Sequence, residues 1–313
     1  MNNIQVLGVY WDAQKPGLFY RKDSDSVREN SVDLVRGLKI EIKFHQERKC
    51  VGYWDSKLEK KILCPFGNIV RHNDGKCYLC KSKEVSNYTF TGKSLNFEAV
   101  VDYLRTEPHL VYLNLFGKNL IKVGVTAKRR KMNRVLEQGA VATLFIAISD
   151  GLTARRIEQG ISRNFNLTDR VSFAKKMKLL FSVANDEDAK AILNEQGNLI
   201  LSDTRDKNFF MNPPEYHYNF NKYNICKEFL PECGYMVSDF HDGDVISGTV
   251  VACYGPMIFV RVREKVYIIN GKALVGLIVD INTGSNNDSL RIVAKASEVH
   301  LYEPYHQMGI FTV

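Results

Sequence analysis

Leu110-Val111-Tyr112-Leu113-Asn114-Leu115, a polar turn around Gly117-Lys118-Asn119, and Leu120-Ile121-Lys122-Val123-Gly124-Val125 form a β-hairpin signal, two apolar and β-branched runs parted by turn formers. Working outward, a basic helical segment over 127–137 is stopped at Gly139, since glycine readily closes a helix in the left-handed conformation. Residues 141–148 read as a buried third strand. Segment 150–165 is a helix with Leu152, Ile157, Ile161 and Phe165 near one stripe and Glu158 beside it. Helices over about 171–180 and 186–195 follow. Upstream, the helical spacing of 96–104 ends before Pro108.

The start of the chain alternates with period two at Ile4 to Trp11 and Leu38 to Phe44, the mark of half-buried strands. Past Pro213-Pro214, 244–252, 257–262, 265–269 and 274–281 read as short strands separated by Gly, Pro and Asn. The expected architecture is α+β in three parts. Residues 1–95 form an N-terminal β region with a cysteine cluster, 96–200 a small sheet with flanking helices, and 201–313 a β-rich module of barrel or sandwich type.

The chain has 313 residues, long enough for two or three domains, and its apolar and charged fractions of 45% and 25% are those of a globular protein. Its longest apolar run, 141–148, is far short of the ~20 residues of a membrane helix. Met1-Asn2-Asn3-Ile4-Gln5 lacks a basic stretch followed by an apolar one, so a cytoplasmic location without membrane association is expected. Lys+Arg exceed Asp+Glu by 43 to 35. The excess concentrates in the middle, at Lys122, Lys128, Arg129, Arg130, Lys131 and Arg134, then Arg155, Arg156, Arg163, Arg170, Lys175, Lys176 and Lys178. Such a cluster suits nucleic-acid phosphates; the plainer reading is a solvated, solubilising surface.

Cys50, Cys64, Cys77 and Cys80 cluster among seven cysteines. An odd count without an export signal argues against a disulfide framework. The pair Cys77-Tyr78-Leu79-Cys80 can place both sulfurs on one metal, and Cys64-Pro65-Phe66-Gly67 supplies the tight turn of a zinc loop, so a structural Zn2+ is expected. His45 and His72 are possible substitutes for Cys50 or Cys64. The competing readings are a redox pair, or a half-buried C-x-x-C beside two unrelated core cysteines. Cys226, Cys233 and Cys253 read as small core residues.

Strand–turn–strand with a Tyr in the first strand and a Gly in the second, followed by an Arg-bearing and a Glu-bearing helix, resembles the GIY-YIG nuclease superfamily. Leu110-Val111-Tyr112 stands for the first signature and Lys122-Val123-Gly124 for the second. More closely, residues 45–185 resemble domain-of-unknown-function family 2797. The elements that carry this likeness are Cys77-Tyr78-Leu79-Cys80, His109 to Leu113, Lys122 to Thr126, Arg134, Gln138-Gly139-Ala140, Ile157-Glu158 and Asp169-Arg170.

The nuclease resemblance implies roles. Tyr112 positions or deprotonates the attacking water, Arg134 holds the phosphate with its planar donor fork, Glu158 binds a catalytic Mg2+ or Mn2+, and Gly124 lets backbone approach the substrate. Lys128, Arg129, Arg130, Lys131 and Arg155 are candidate nucleic-acid contacts. The departure is Lys122, where the second-signature Tyr normally stands. A lysine there contacts phosphate, acts as a desolvated base, or marks a site that only binds. Each residue also has a plainer reading, Tyr112 as a core aromatic and Glu158 as the i,i+3 partner of Arg155. The function expected is therefore nucleic-acid binding, to DNA or RNA, with metal-dependent phosphodiester cleavage as its leading activity. A catalytically silent binder and a protein-interaction scaffold are the alternatives. No Gly-rich phosphate loop after a strand, G-x-S-x-G or H-E-x-x-H stands in the chain.

Overall fold

A computed structural model describes residues 1–12, 15–22, 29–55, 58, 60–71, 75–84, 97–183, 185–203, 208–219, 230–237, 239–284, 289–291 and 296–301. His72 and Cys226 lie outside the described residues. The chain starts with β1 (Ile4–Asp12), β2 (Lys15–Lys22), β3 (Asn30–Asp33) and β4 (Lys39–Arg48), then the short β5 (Tyr53–Asp55) and β6 (Lys60–Ile62) and helix α1 (Tyr78–Lys83). The middle runs α2 (Phe97–Thr106), β7 (Pro108–Gly117), β8 (Leu120–Ala127), a 3-10 turn (Lys128–Arg130), α3 (Lys131–Gln138), β9 (Ala142–Asp150) and α4 (Gly151–Asn164). There follow α5 (Phe173–Lys178), α6 (Asp186–Asp203) and β10 (Phe210–Tyr218). The last strands are β11 (Cys233–Val237), β12 (Val245–Tyr254), β13 (Met257–Val262), β14 (Lys265–Asn270), β15 (Leu277–Thr283), β16 (Ser289–Arg291) and β17 (Ser297–His300).

The two β-rich ends share one sheet. Its strand order is β17-β11-β14-β13-β12-β4-β15-β1-β2-β3, with β16 added on β12. Strand β4 lies between β12 and β15, so that Ile42 stands opposite both Ile246 and Ile281. The expected N-terminal β region and C-terminal β-rich module thus contribute strands to one sheet, a pairing that the sequence pattern did not indicate. The reason is physical. Alternation marks Ile40, Ile42 and Phe44 as the buried side of a strand, but it carries no information about a partner two hundred residues away. One face of the sheet buries a core built from β1, β2, β4 and β12 to β15. On its other face, Met177 and Phe181 pack against Tyr254, Met257, Phe259 and Ile268.

The second sheet has the order β10-β9-β7-β8, with β7–β8 the hairpin of the sequence pattern. Asp150 caps α4 by accepting from the Leu152 and Thr153 N–H groups at 2.9 and 3.0 Å, as an N-cap carboxylate does. Gly139, at φ +61, closes α3. Side chains of β7 alternate between two cores. Val111, Leu113 and Leu115 join Ala154 and Ile161 of α4 and Leu193 and Ile200 of α6. Leu110 and Tyr112 join Val135 of α3 and Phe145 of β9. The Tyr112 face looks toward the large sheet. Tyr254 Oη donates to the Ala140 carbonyl at 2.6 Å, and Trp11 Nε1 donates to the Gly255 carbonyl at 3.1 Å. No helix among the described residues is long and apolar enough to cross a membrane.

Candidate phosphate-binding face and cysteine cluster

Tyr112 stands opposite Gly124 in the hairpin register, and its ring lies across the glycine. A Cβ at position 124 would fall 2.5 Å from the ring's Cζ and Oη. The space that the resemblance leaves for substrate is therefore filled by the tyrosine itself, and Gly124 is required by its own neighbour. The ring is 1% exposed and meets Phe145 edge-on at 6.1 Å. Its hydroxyl, at the far end, accepts from Arg134 Nε at 3.2 Å.

Lys122 projects on the same face, two residues before Gly124, since neighbours i and i+2 of a strand share a side. Its Nζ donates to Gln138 Oε1 at 3.4 Å. Burial, with the nearby Arg134, lowers the Lys122 ammonium to about 8, against a contrary pull from Asp169. Lys176, 6% exposed, donates to the Gln138 carbonyl at 2.6 Å and sits 4.5 Å above the Phe116 ring. Burial and the charges of Lys272, Lys122 and Arg134 bring it down to about 6. Tyr112, Lys122 and Arg134 are thus brought together.

Glu158 is placed elsewhere. It shares the inner stripe of α4 with Ala154 and Ile161, whose partners form the core on the opposite face of β7. It is 4% exposed and paired with Arg155, which is the plainer of its two sequence readings. The basic run is largely engaged as well. Arg129 donates to Tyr103 Oη at 2.7 Å, pairs with Glu107 at 3.4 Å and stacks 5.6 Å from the Trp54 ring. Arg130 pairs with Glu137 at 3.1 Å and Lys131 with Glu215. Lys128 is exposed and makes no ion pair among the described residues.

His109 is a buried residue with Nδ1 on the Glu107 carbonyl at 2.7 Å. A shallow groove of about 500 Å3 between the β7–β8 turn and α6, lined by Asn119, Ile121 and Leu199 among others, contains none of these side chains.

Cys50, Cys64, Cys77 and Cys80 converge so that their sulfurs all lie within 4.8 Å of one another. The chain reaches this by turning back on itself. The Lys49 and Ile69 backbones bridge, Cys50 N donates to the Asn68 carbonyl at 2.8 Å, and Cys77 starts α1 as its N-cap. Gly52 holds φ +83 where a Cβ would strike the Ile62 carbonyl at 1.9 Å. Cys50 Sγ accepts from the Gly52 and Cys77 N–H groups at 3.4 and 3.2 Å. Four sulfurs on a metal with bonds of about 2.3 Å stand about 3.8 Å apart in a tetrahedron, and Cys64 and Cys77 are 4.0 Å apart. The donor set fits a tetrahedral metal ion. Burial works to raise the Cys77 thiol, yet hydrogen bonds from the Cys80 backbone, Asn68 and the neighbouring thiols bring it down to about 6. Burial and the same neighbours push Cys80 upward. His45 is not in the cluster; it pairs with Asp280 at 3.1 Å.

Three features escaped the sequence reading. In the sequence Lys176 is one of several charges in a basic helix and nothing marks Lys272; neither run of residues has a period that singles it out. Trp54, Phe66, Ile69, Tyr78 and Leu79, all exposed, crowd around the cysteine loops, and only their position next to Cys64 and Cys77 could have marked them.

A family model described as Protein of unknown function (DUF2797) matches residues 37–279. That span takes in the cysteine cluster, the small sheet and the central strands of the large one, more than the 45–185 that carry the sequence resemblance. No curated protein and no solved structure matches the chain.

Proposed function

The chain belongs to the DUF2797 family, and we propose that it binds nucleic acid by its phosphates at the Tyr112 face of the small sheet. The observation that supports this most directly is the meeting of Arg134 and Lys122 beside Tyr112 Oη, with the guanidinium oriented by that hydroxyl. An arginine held by one nitrogen keeps its remaining donors for a phosphate. The cysteine cluster is read as a structural Zn2+ site, from four sulfurs and no open position.

Phosphodiester cleavage is the second reading. The order hairpin, Arg-bearing α3, β9, Glu-bearing α4 favours it and is the order of the GIY-YIG pattern. Against it stand Arg155 on Glu158 and the placement of that carboxylate on the inner stripe of α4. The binding reading therefore takes precedence.

One experiment orders the two. Wild type, Arg134→Ala and Glu158→Gln are incubated with single-stranded, duplex and branched DNA and with RNA, in Mg2+ or Mn2+ and in EDTA, with binding followed in parallel. Salt-dependent binding is expected for wild type and Glu158→Gln. Arg134→Ala is expected to bind about tenfold more weakly, as a charge-assisted hydrogen bond to phosphate is worth about 1.5–3 kcal/mol. Metal-dependent cutting by wild type, lost in Glu158→Gln with binding kept, would instead establish the nuclease. Absence of salt-dependent binding to any of these substrates would sink both.

A further inference from the structure

The gap between the two sheets gathers cations from separate elements. Lys122 comes from β8, Arg134 from α3, Lys176 from α5 and Lys272 from the turn 271–276 of the large sheet. Gln138 is the hub: its amide oxygen takes Lys122 and its carbonyl takes Lys176, and Arg134 lies one helical turn before it on the same side of α3. The large sheet is brought up to this hub by close backbone packing. A Cβ at Gly255 would fall 2.5 Å from the Gly139 backbone, and Gly271 N donates to the Pro256 carbonyl at 2.7 Å. Lys272 follows directly. Its side chain is open to solvent, yet the surrounding protein, with Arg134 and Lys122, holds its ammonium below the usual lysine range. The carboxylates in range are Glu137, already paired with Arg130, and Asp169, next to Arg170.

Like charges gathered in a partly dry gap cost free energy unless an anion joins them. Gln138 supplies two neutral oxygens, too few for three ammonium groups and a guanidinium. A phosphate offers several acceptor oxygens around one centre, which suits a planar fork and separate ammonium donors together. We propose that Lys122, Arg134, Lys176 and Lys272 form a single pocket, built jointly by both sheets, that binds a phosphate group. The proposal rests on the nucleic-acid reading in that it shares Lys122 and Arg134. It goes beyond it by making the large sheet, through Lys272, part of the binding site. A backbone phosphodiester and a free phosphate or nucleotide present the same chemistry, and the test separates them.

The full chain is titrated with phosphate and with sulfate against chloride at constant ionic strength, and thermal unfolding is followed. Binding of a single-stranded oligonucleotide is measured beside it. The variants are Lys272→Ala, at an exposed position, and Lys176→Met, which replaces a buried cation by an apolar chain of similar length. Lys190→Ala, on α6, controls for overall charge. Wild type and Lys190→Ala are expected to be stabilised by both anions. In Lys272→Ala and Lys176→Met the anion concentration needed is expected to rise about tenfold, the value of one charge-assisted hydrogen bond. Sulfate does not titrate in this range, so its affinity reports the protein. It is expected to rise as pH falls from 8 to 6, because Lys122 and Lys176 gain their protons there. Equal responses in wild type and Lys272→Ala, or none in wild type, overturn the pocket. If oligonucleotide binding then persists, the nucleic-acid reading stands without it. Anion stabilisation without oligonucleotide binding keeps the pocket, assigns it to free phosphate or a nucleotide, and removes the nucleic-acid reading.

Discussion

Cys64→Ser or Cys80→Ser, or removal of the metal by a strong chelator, is expected to unfold the segment around the cysteines while both larger sheets stay folded. The core of this segment consists of Cys50, Cys64, Cys80 and Val70, with Tyr53 and Cys77 at its margin. Ordering each residue costs about 1–2 kcal/mol, and burying one valine returns about 2 kcal/mol. Among the described residues, Val51 beside Cys50 adds one more buried apolar side chain, still far too little to offset that cost. A structural zinc contributes about 10–16 kcal/mol in sites of this kind, enough to decide whether the segment folds. Three measurements check the expectation. Metal analysis should give close to one equivalent for wild type and almost none for the serine variants. Limited proteolysis should open new cuts between Cys50 and Cys80. In a Trp11→Phe background, Trp54 fluorescence should shift as its contact with Arg129 is lost. Wild type holding less than half an equivalent, or an unchanged cleavage pattern, would show that the thiols pack without metal.

The effect should travel further. Arg48 Nη2 donates to the Ala273 carbonyl at 2.8 Å, Lys49 N donates to the Gly276 carbonyl at 2.8 Å, and Gly75 packs against Val275 and Gly276. The cysteine segment thus braces the turn 271–276, which carries Lys272. Loss of metal is expected to weaken phosphate binding as well as the segment itself.

The local elements were legible because their signals are local. The hairpin at 110–125, the helix ending at Gly139 and the Asp150-capped helix depend on residues a few positions apart. The four cysteines were legible for the same reason, since thiols, turn formers and C-x-x-C spacing are read directly. The shared sheet was not, because β4 has an ordinary alternating pattern whether it pairs with β12 or with a neighbour. The fate of Glu158 was not legible either. Helical spacing puts it beside Ile157 and Ile161 without saying which face of the sheet that stripe covers. Lys176 and Lys272 come near each other where Gly139 packs against Gly255, two small residues with no pattern in common.

Gly124→Ala is expected to destabilise the protein by about 3 kcal/mol, at the upper end of what overpacking a core costs. The sign makes the prediction sharp. At an open strand position alanine is better than glycine by roughly 0.5–1 kcal/mol, because the unfolded chain loses less freedom. Here the new methyl would stand 2.5 Å from Tyr112 Cζ and Oη. The ring cannot retreat: Phe145 and Val135 pack against it, and Arg134 holds its hydroxyl. Urea unfolding of Gly124→Ala, Tyr112→Leu and the double variant checks the mechanism. Removing the ring removes the clash, so the double variant should be more stable than the sum of the two losses predicts, by more than 1 kcal/mol for residues in contact. Tyr112→Phe should cost about 1 kcal/mol for the lost hydrogen bond and should free Arg134 from its orientation. A stabilising or neutral Gly124→Ala would mean that the space beside Gly124 is open, as a substrate channel requires, and that Tyr112 leaves it in solution. A destabilising one with strong coupling fixes the tyrosine in place, and makes Gly124 the residue that lets an aromatic ring, its hydroxyl and Arg134 stand in line on one face of the sheet.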